Sequence, residues 1–127
     1  MPDNGNSGPT YNSRYDNVVD EKRRIQIPSK WRTEGEVEFL LLLWPNGPEM
    51  DACVMVFPPK AAQRFKEKVE GLSFGDPRAE ALRRLLGRKS DTVKSDKQGR
   101  ITLPEGMAKA AGIVKGVSLI GMFALVP

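Results

Sequence analysis

The strongest constraint on the fold of this chain is a nine-residue motif that occurs twice in its sequence. DEKRRIQIP at residues 20–28 returns as DKQGRITLP at residues 96–104, with Asp, Arg, Ile and Pro in the same register. The flanks agree too, because each copy reads as strand, charged turn, strand, proline, short helix, glycine and apolar strand. A unit of this size cannot bury its apolar face alone. The sequence therefore predicts two related units, each completing the other's sheet about a pseudo-twofold axis.

Hydrophobic periodicity and the positions of proline and glycine indicate short elements along the chain. Strands are predicted over residues 11–19, 24–27, 37–44, 51–57, 92–95, 101–103 and 117–126, and short helices over 29–33 and 105–111. The segment 37–57 reads as a hairpin whose turn is Pro-Asn-Gly-Pro at 45–48. We therefore expect a mainly β protein with short helices, of the α+β class.

Two longer helices are predicted between the copies. Pro58-Pro59 opens the first, and Asp76 caps the second, which starts with Pro77 and ends at Gly87. Their apolar residues, predicted to face inward, are Ala62, Phe65, Val69 and Leu72 in the first and Ala81, Leu82, Leu85 and Leu86 in the second. The predicted division is a flexible tail over 1–10, a first repeat over 11–57, a central helical hairpin over 58–87 and a second repeat over 88–127. Together these parts are expected to form one compact domain.

The residue types that the chain lacks argue against enzymatic chemistry. Its 127 residues include no histidine, the commonest general base and metal ligand. The lone cysteine, Cys53, lies in an apolar run and is predicted to be a buried strand residue, and one cysteine suits a reducing cytoplasm. Residues 1–10 do not read as a signal peptide, and the apolar run at 39–44 is too short to span a membrane. We expect no catalytic site, metal, cofactor, small-molecule substrate or membrane contact.

Basic residues concentrate around the two charged turns. The net charge is +4 and the pI is about 9.4, which is compatible with nucleic acid or another anionic surface. The basic residues are Arg14, Lys22, Arg23, Arg24, Lys30 and Arg32 near the first turn, and Arg83, Arg84, Arg88, Lys89, Lys94, Lys97 and Arg100 near the second. Acidic residues concentrate between these clusters, so the sequence favours a basic face.

Within each turn, an aspartate precedes an arginine by four residues: Asp20 and Arg24, then Asp96 and Arg100. Two interpretations are open. Each pair can be a salt bridge that closes the hairpin, with the carboxylate also capping backbone N–H groups. Alternatively, each aspartate orients its arginine so that the turn offers a fixed guanidinium to a phosphate or a guanine edge.

The doubled motif, Asp20-x-x-x-Arg24-Ile-x-Ile-Pro28 and Asp96-x-x-x-Arg100-Ile-x-Leu-Pro104, resembles that of the MraZ family, bacterial transcriptional regulators with two AbrB-like halves. The resemblance covers roughly residues 11–123. It includes Tyr11 and Tyr15 ahead of the first copy, LLG at 85–87, AAGIVKGVSLIG at 110–121 and the spacing between the copies.

The resemblance implies a swapped-hairpin, double-psi-like β-barrel built from the two halves. It also implies a ring homo-oligomer that binds repeated DNA elements upstream of the division and cell-wall gene cluster, acting mainly as a repressor in the nucleoid. The DNA contacts carried over are Lys22, Arg23, Arg24, Lys97 and Arg100. The structural positions of the motif are Asp20, Pro28, Asp96, Gly99 and Pro104.

Three departures from the family pattern stand out. The residue before the motif arginine is usually glycine, as Gly99 is, but the first copy has Arg23. If this position needs a positive φ, arginine costs roughly 1 kcal/mol relative to glycine. A tryptophan usual near the start of the first central helix is replaced by Ala61-Ala62, and the chain ends at Pro127, before the family's final aromatic strand and tail helix.

Other functions compete with this interpretation. An AbrB-type antitoxin would bind DNA while its tail neutralises a toxin, but it would usually carry one motif copy and a long C-terminal arm. An enzyme on a double-psi barrel would need a nucleophile, a base or a metal cluster. A scaffold ring would use the basic face for protein contacts, and salt-insensitive DNA binding or none would indicate it.

Overall fold

Short strands and tight turns dominate the fold around a few helices. The computed structural model describes residues 12–32, 35–44, 53–73 and 75–120. In these ranges the strands are β1 (Arg14–Val18), β2 (Arg24–Gln26), β3 (Glu38–Trp44), β4 (Cys53–Phe57), β5 (Ser90–Lys94), β6 (Arg100–Thr102) and β7 (Gly116–Ile120). The helices are α1 (Pro59–Glu70), α2 (Pro77–Arg88) and α3 (Glu105–Ala110), with a 3-10 turn at Ser29–Trp31. The predicted α+β class is confirmed.

The repeat in the sequence is a repeat in the backbone. β5 and β6 begin and end 76 residues after β1 and β2, and the two motif turns close with matching hydrogen bonds. The amide of Arg23 donates to the carbonyl of Asp20 at 2.9 Å, and the amide of Gly99 donates to that of Asp96 at 3.0 Å. The same backbone geometry therefore forms from two different sequences, with arginine in one turn and glycine in the other.

The two copies exchange strands. β1 of the first copy pairs antiparallel with β7 of the second, β3 of the first pairs with β5 of the second, and the two motif strands β2 and β6 pair with each other. β4 adds to the other edge of β3, which confirms the predicted hairpin between these strands. Over the described ranges these pairings form three separate sheets of two, two and three strands, and no closed barrel.

The second copy is two residues longer between its motif and its last strand. The amide of Val19 donates to the carbonyl of Lys115, and in the other half the amide of Ser95 donates to that of Val37. The two donors, Val19 and Ser95, are 76 residues apart in sequence, whereas the two acceptors, Val37 and Lys115, are 78 residues apart. The six-residue helix α3 in place of a three-residue 3-10 turn accompanies this extra length.

The main core lies between the exchanged strands. Ile25 and Ile101 face each other across the β2–β6 pair and are 4% and 1% exposed, and Leu41 of β3 is fully buried. Ile27 and Leu103, immediately before the motif prolines, are buried with them. Each such side chain contributes roughly 1.5–3 kcal/mol through burial. The alternation that the sequence shows after each motif arginine thus places isoleucine inward and polar neighbours outward.

Helix α1 covers a second, smaller core. Ala61 and Ala62 pack against Leu42 of β3 and Phe57 of β4, and Phe65 stacks on Phe57 with ring centroids 5.0 Å apart. The small alanines let the helix approach the sheet closely. This packing confirms that the apolar stripe of α1 faces inward at Ala62 and Phe65.

Helix α2 begins as predicted, with Pro77 after an Asp76 N-cap whose carboxylate accepts the amide of Arg78 at 2.9 Å. It ends at Arg88, one residue beyond the predicted Gly87.

The apolar stripe of α2 is not buried as predicted. Ala81 is exposed, and 43% of Leu82 and 38% of Leu85 remain exposed. α2 contacts the fold mainly through β5, with Ala79 buried and Leu86 packed beside the α1 core. The helix therefore turns only part of its apolar face to the sheet.

Cys53 is exposed, so the prediction of a buried cysteine is wrong. It begins β4, the edge strand of its sheet, and its partner Trp44 lies at the end of β3 with 44% of its surface exposed. Because β4 lies at an edge of the described sheet, no further strand covers this side of Cys53. The predictions for the tail at 1–10, the turn at 45–48 and the strand beyond residue 120 lie outside the described residues.

Candidate nucleic-acid interface

Each motif turn is built around its aspartate. The Oδ1 atom of Asp20 accepts the backbone amides of Lys22 at 2.9 Å and Arg24 at 2.7 Å, and its Oδ2 atom accepts Nε of Arg24 at 2.6 Å. Asp96 repeats the pattern, accepting the amides of Gln98 and Arg100 at 2.9 Å and Nε of Arg100 at 2.8 Å. One carboxylate thus closes the backbone turn and grips the arginine side chain at once.

These contacts favour the ionised carboxylates. The backbone hydrogen bond from Arg24 is the main cause that lowers the pKa of Asp20, and the Arg24 side chain and the Lys22 amide lower it further against the opposing effect of burial. The pKa of Asp96 is lowered in the same way, first by the backbone amide of Arg100. Both turns are therefore charged and closed at neutral pH.

The aspartates hold only one side of each guanidinium. Nε of Arg24 is bound, whereas neither of its Nη atoms has a hydrogen-bond partner within the described residues. Nη2 of Arg100 donates to Oε1 of Gln98, which leaves Nη1 for another acceptor. The two side chains are 30% and 28% exposed. Each turn consequently presents the far end of a fixed guanidinium to solvent, a geometry suited to phosphate or a guanine edge.

The two turns lie at opposite ends of one short ribbon, the antiparallel β2–β6 pair. The amide of Leu103 donates to the carbonyl of Arg23 at one end, and the amide of Ile27 donates to that of Gly99 at the other. At about 3.4 Å per residue, four residues of strand separate the turns by roughly 14 Å. The motif residues of both copies therefore form one continuous surface.

Lys22 and Lys97 are exposed at the tips of the two turns. Arg23 differs, because its φ of 62° is left-handed and its Nε donates to the carbonyl of Leu103 at 3.0 Å. The condition under which arginine is costly here, a positive φ, is therefore met at this position. Its side chain thus crosses to the partner strand, so part of its hydrogen-bonding capacity is used within the fold.

A contact that the sequence did not reveal supports the second turn. Nη1 of Arg32 donates to the carbonyl of Gln98 at 2.9 Å, and Nε2 of Gln26 donates to the same carbonyl at 2.7 Å. A Cβ at Gly99, where φ is 80°, would meet Nη1 of Arg32 at 2.3 Å. The equivalent position of the second copy, 76 residues later, is Ala108, so the first copy combines Arg23 with Arg32 and the second combines Gly99 with Ala108. This reciprocal pattern is the signal that comparing the copies could have used.

Several basic residues of the predicted face are paired with acids. Arg14 contacts Asp16 at 3.0 Å, and two further pairs join Lys94 to Glu36 and Arg84 to Glu80. These exposed pairs contribute little to stability. The structure therefore brings the motif residues together on the ribbon, while part of the wider basic surface is locally neutralised.

The described part of the chain contains no cluster of acidic residues, cysteine or histidine that could hold a metal ion. None of its helices is long and apolar enough to cross a lipid bilayer.

The sequence was compared with protein-family models and with curated proteins. No protein-family model matches it. It is 32% identical over 113 residues to a transcriptional regulator MraZ of Thermomicrobium roseum, which covers 89% of this chain and 76% of the relative. The Finegoldia magna regulator of that name is 34% identical over 110 residues, covering 87% and 73%. That of Carboxydothermus hydrogenoformans is 32% identical over 108 residues, covering 85% and 72%.

The chain is thus related over most of its length to curated transcriptional regulators. It belongs to the MraZ family. The resemblance drawn from the doubled motif is confirmed.

Proposed function

We propose that this protein is a sequence-specific DNA-binding repressor of transcription that reads DNA with its two motif turns. The observation that carries the proposal is the pair of arginines, Arg24 and Arg100, each bound at Nε by a carboxylate, with both Nη atoms of Arg24 and Nη1 of Arg100 left without a partner in the described residues. A guanidinium fixed in this way loses little conformational entropy when it binds, and its fork matches phosphate and guanine acceptors.

The roles of the other basic residues follow from their positions. Lys22 and Lys97, exposed at the tips of the turns, contact phosphates and set the strength of binding. Arg23 adds positive charge beside the first turn, although its Nε is held by the partner strand. The arginines of the two pairs supply the sequence preference through base edges.

We propose that the exchange of strands between the copies is the swapped-hairpin arrangement of AbrB-like halves. The support is the pairing of β1 with β7 and of β3 with β5, which joins the first strand of each copy to the strand that follows the short helix of the other. The double-psi barrel implied by the resemblance requires contacts beyond the three described sheets.

The functional assembly is proposed to be a ring of identical chains. An apolar groove with a volume of about 120 Å³ supports self-association; its lining includes the exposed Trp44, Leu82 and Leu85. Leu82→Glu and Leu85→Glu should each shift the oligomer towards smaller species in light scattering, since burial at an apolar interface would desolvate the new carboxylate. Ala81→Glu, on the same helix outside the groove, is the matched control. Equal masses for all variants and wild type would argue against this interface.

A ring would present several turns to several DNA repeats at once. Each turn alone binds weakly, but engaged together they gain through effective concentration, so affinity should rise steeply with the number of repeats. The proposed target is the repeated promoter element of the division and cell-wall gene cluster, and the proposed location is the cytoplasm, associated with the nucleoid.

The test is fluorescence anisotropy with duplexes that carry zero, one or several repeats from the protein's own promoter, at two salt concentrations. Binding should need several repeats and fall with salt. Arg24→Ala/Arg100→Ala should lose about 1–3 kcal/mol of specific binding per engaged site. Arg64→Ala/Lys66→Ala, which removes two exposed basic side chains of α1, is the charge-matched control. Equal binding of all duplexes, or wild-type binding by the double variant, would refute the proposal.

A further inference from the structure

The outward face of the β2–β6 ribbon carries four polar side chains. In the antiparallel register Arg24 faces Thr102 and Gln26 faces Arg100, while the Ile25–Ile101 pair between them points into the core. Gln26 and Thr102 are exposed and both arginines are half-buried. The two motif arginines therefore share one face with two residues that no motif singles out.

The amide of Gln26 has a defined orientation. Its Nε2 lies 2.7 Å from the carbonyl of Gln98, a distance that fits a donor and would be repulsive for the amide oxygen. Nε2 also donates to the carbonyl of Ile27 at 3.5 Å, whereas Oε1 has no hydrogen-bond partner within the described residues. Beside Arg100, whose Nη1 is a donor, the second half of the ribbon thus offers an acceptor as well.

The other half of the ribbon is chemically different. Thr102 occupies the place that Gln26 has in the first copy, with a short hydroxyl and a methyl group. Neither Nη atom of the neighbouring Arg24 is engaged within the described part of the chain. The ribbon is therefore pseudo-symmetric in backbone but presents unlike groups at its two ends.

We propose that this face enters the major groove of DNA, where Gln26 and Thr102 act with the motif arginines as specificity-determining residues. The inference rests on the proposed DNA-binding function and names the part of the DNA that is read. The major groove, about 12 Å wide, admits a two-stranded β-ribbon and displays guanine N7 and O6 to arginine donors. The free Oε1 of Gln26 suits the amino group of adenine or cytosine, and the methyl group of Thr102 suits that of thymine.

The position of the tip lysines is consistent with this geometry. Lys22 and Lys97 stand at the two ends of a surface roughly 14 Å long, beyond the four outward residues. When the ribbon face lies against base edges, both lysines are near the backbone phosphates that border the groove. The predicted interface is therefore a reading face between two phosphate contacts.

The groove is tested with the wild-type protein and its promoter duplex, in which single guanines are replaced by base analogues. 7-Deazaguanine removes only N7 from the major groove, whereas inosine removes only the amino group from the minor groove. We expect roughly tenfold weaker binding for each contacted 7-deazaguanine and no change with inosine. Loss of affinity with inosine but not with 7-deazaguanine would overturn the proposal.

The two new residues are tested with Gln26→Ala and Thr102→Ala against duplexes changed at one base pair at a time. Each variant should lose discrimination at one base pair, with about tenfold weaker binding to the promoter and unchanged binding to scrambled DNA. Arg32→Ala is the control for a merely structural effect, because it removes the other donor to the Gln98 carbonyl from a residue outside the ribbon face. If Gln26→Ala and Arg32→Ala weaken all duplexes alike, Gln26 only positions the turn and the assignment is wrong.

The outcomes separate this inference from the proposed function. Wild-type protein that binds its promoter no better than scrambled DNA overturns both. A second outcome is repeat-dependent binding that requires Arg24 and Arg100 but is unchanged by 7-deazaguanine, Gln26→Ala and Thr102→Ala. This outcome supports the proposed repressor function and refutes the proposal that the ribbon face reads the major groove.

Discussion

The reciprocal arrangement of Gly99 and Arg32 makes a quantitative prediction for the stability of the second turn. Gly99→Ala forces a side chain into a left-handed backbone, which costs about 1–2 kcal/mol. The new Cβ would also meet Arg32 at Nη1, Cδ and Cζ, the nearest at 2.3 Å, so the arginine must leave. Its hydrogen bond to the carbonyl of Gln98 contributes about 1–2 kcal/mol. The free energy of unfolding should therefore fall by about 2–4 kcal/mol.

The double-mutant cycle with Arg32→Ala isolates the second contribution. In that background the space over residue 99 is already empty, so Gly99→Ala should cost only the backbone strain of about 1–2 kcal/mol. Urea unfolding followed by circular dichroism gives all four free energies. Equal costs in both backgrounds would show that Arg32 does not occupy this space in solution, and the reasoning would fail.

Three further predictions concern the first turn, the charges and a helix end. Arg23→Gly should be about 1 kcal/mol more stable than Arg23→Ala in urea unfolding, since both lose the hydrogen bond to Leu103 but only alanine keeps the left-handed strain. Folding lowers the pKa of Asp20 and Asp96, so their contribution to the free energy of unfolding is complete above about pH 4 and is lost as the pH falls through the lowered values. Replacing both residues with Asn should therefore make the free energy of unfolding less dependent on pH in this acid range. Asp76→Ala should lower the free energy of unfolding by about 1 kcal/mol through loss of the α2 N-cap, while an unchanged midpoint would contradict that role.

Local features of the fold were predictable because they depend on neighbouring residues. The spacing of Asp20 and Arg24 implies a turn closed by a carboxylate, and alternation after the arginine implies one inward isoleucine, Ile25. Pro77 after Asp76 marks the start of α2. Such signals act over a few residues, so they survive in any tertiary context that keeps the turn or the helix.

Features that depend on distant residues could not be read in the same way. The stripe of α2 has the spacing of a buried face, yet nothing in it shows that Leu82 and Leu85 lack a cover within the described chain. Cys53 looks buried from its neighbours, but its exposure follows from the order of strands, with β4 at an edge. The contact of Arg32 with a turn 66 residues away is equally invisible to local patterns.

The exchange of strands has a consequence for the order in which the chain can fold during synthesis. β1 is made long before its partner strand β7, so the backbone of Arg14 stays unpaired until Ile120 has been made. β2 likewise cannot pair until β6 has been made, and the inward side chain of Ile25 lacks its neighbour Ile101 until then. Contacts so distant in sequence close slowly and leave apolar strands uncovered meanwhile. Until β7 has been made, a nascent chain of this protein is therefore expected to expose apolar strands of the kind that chaperones bind.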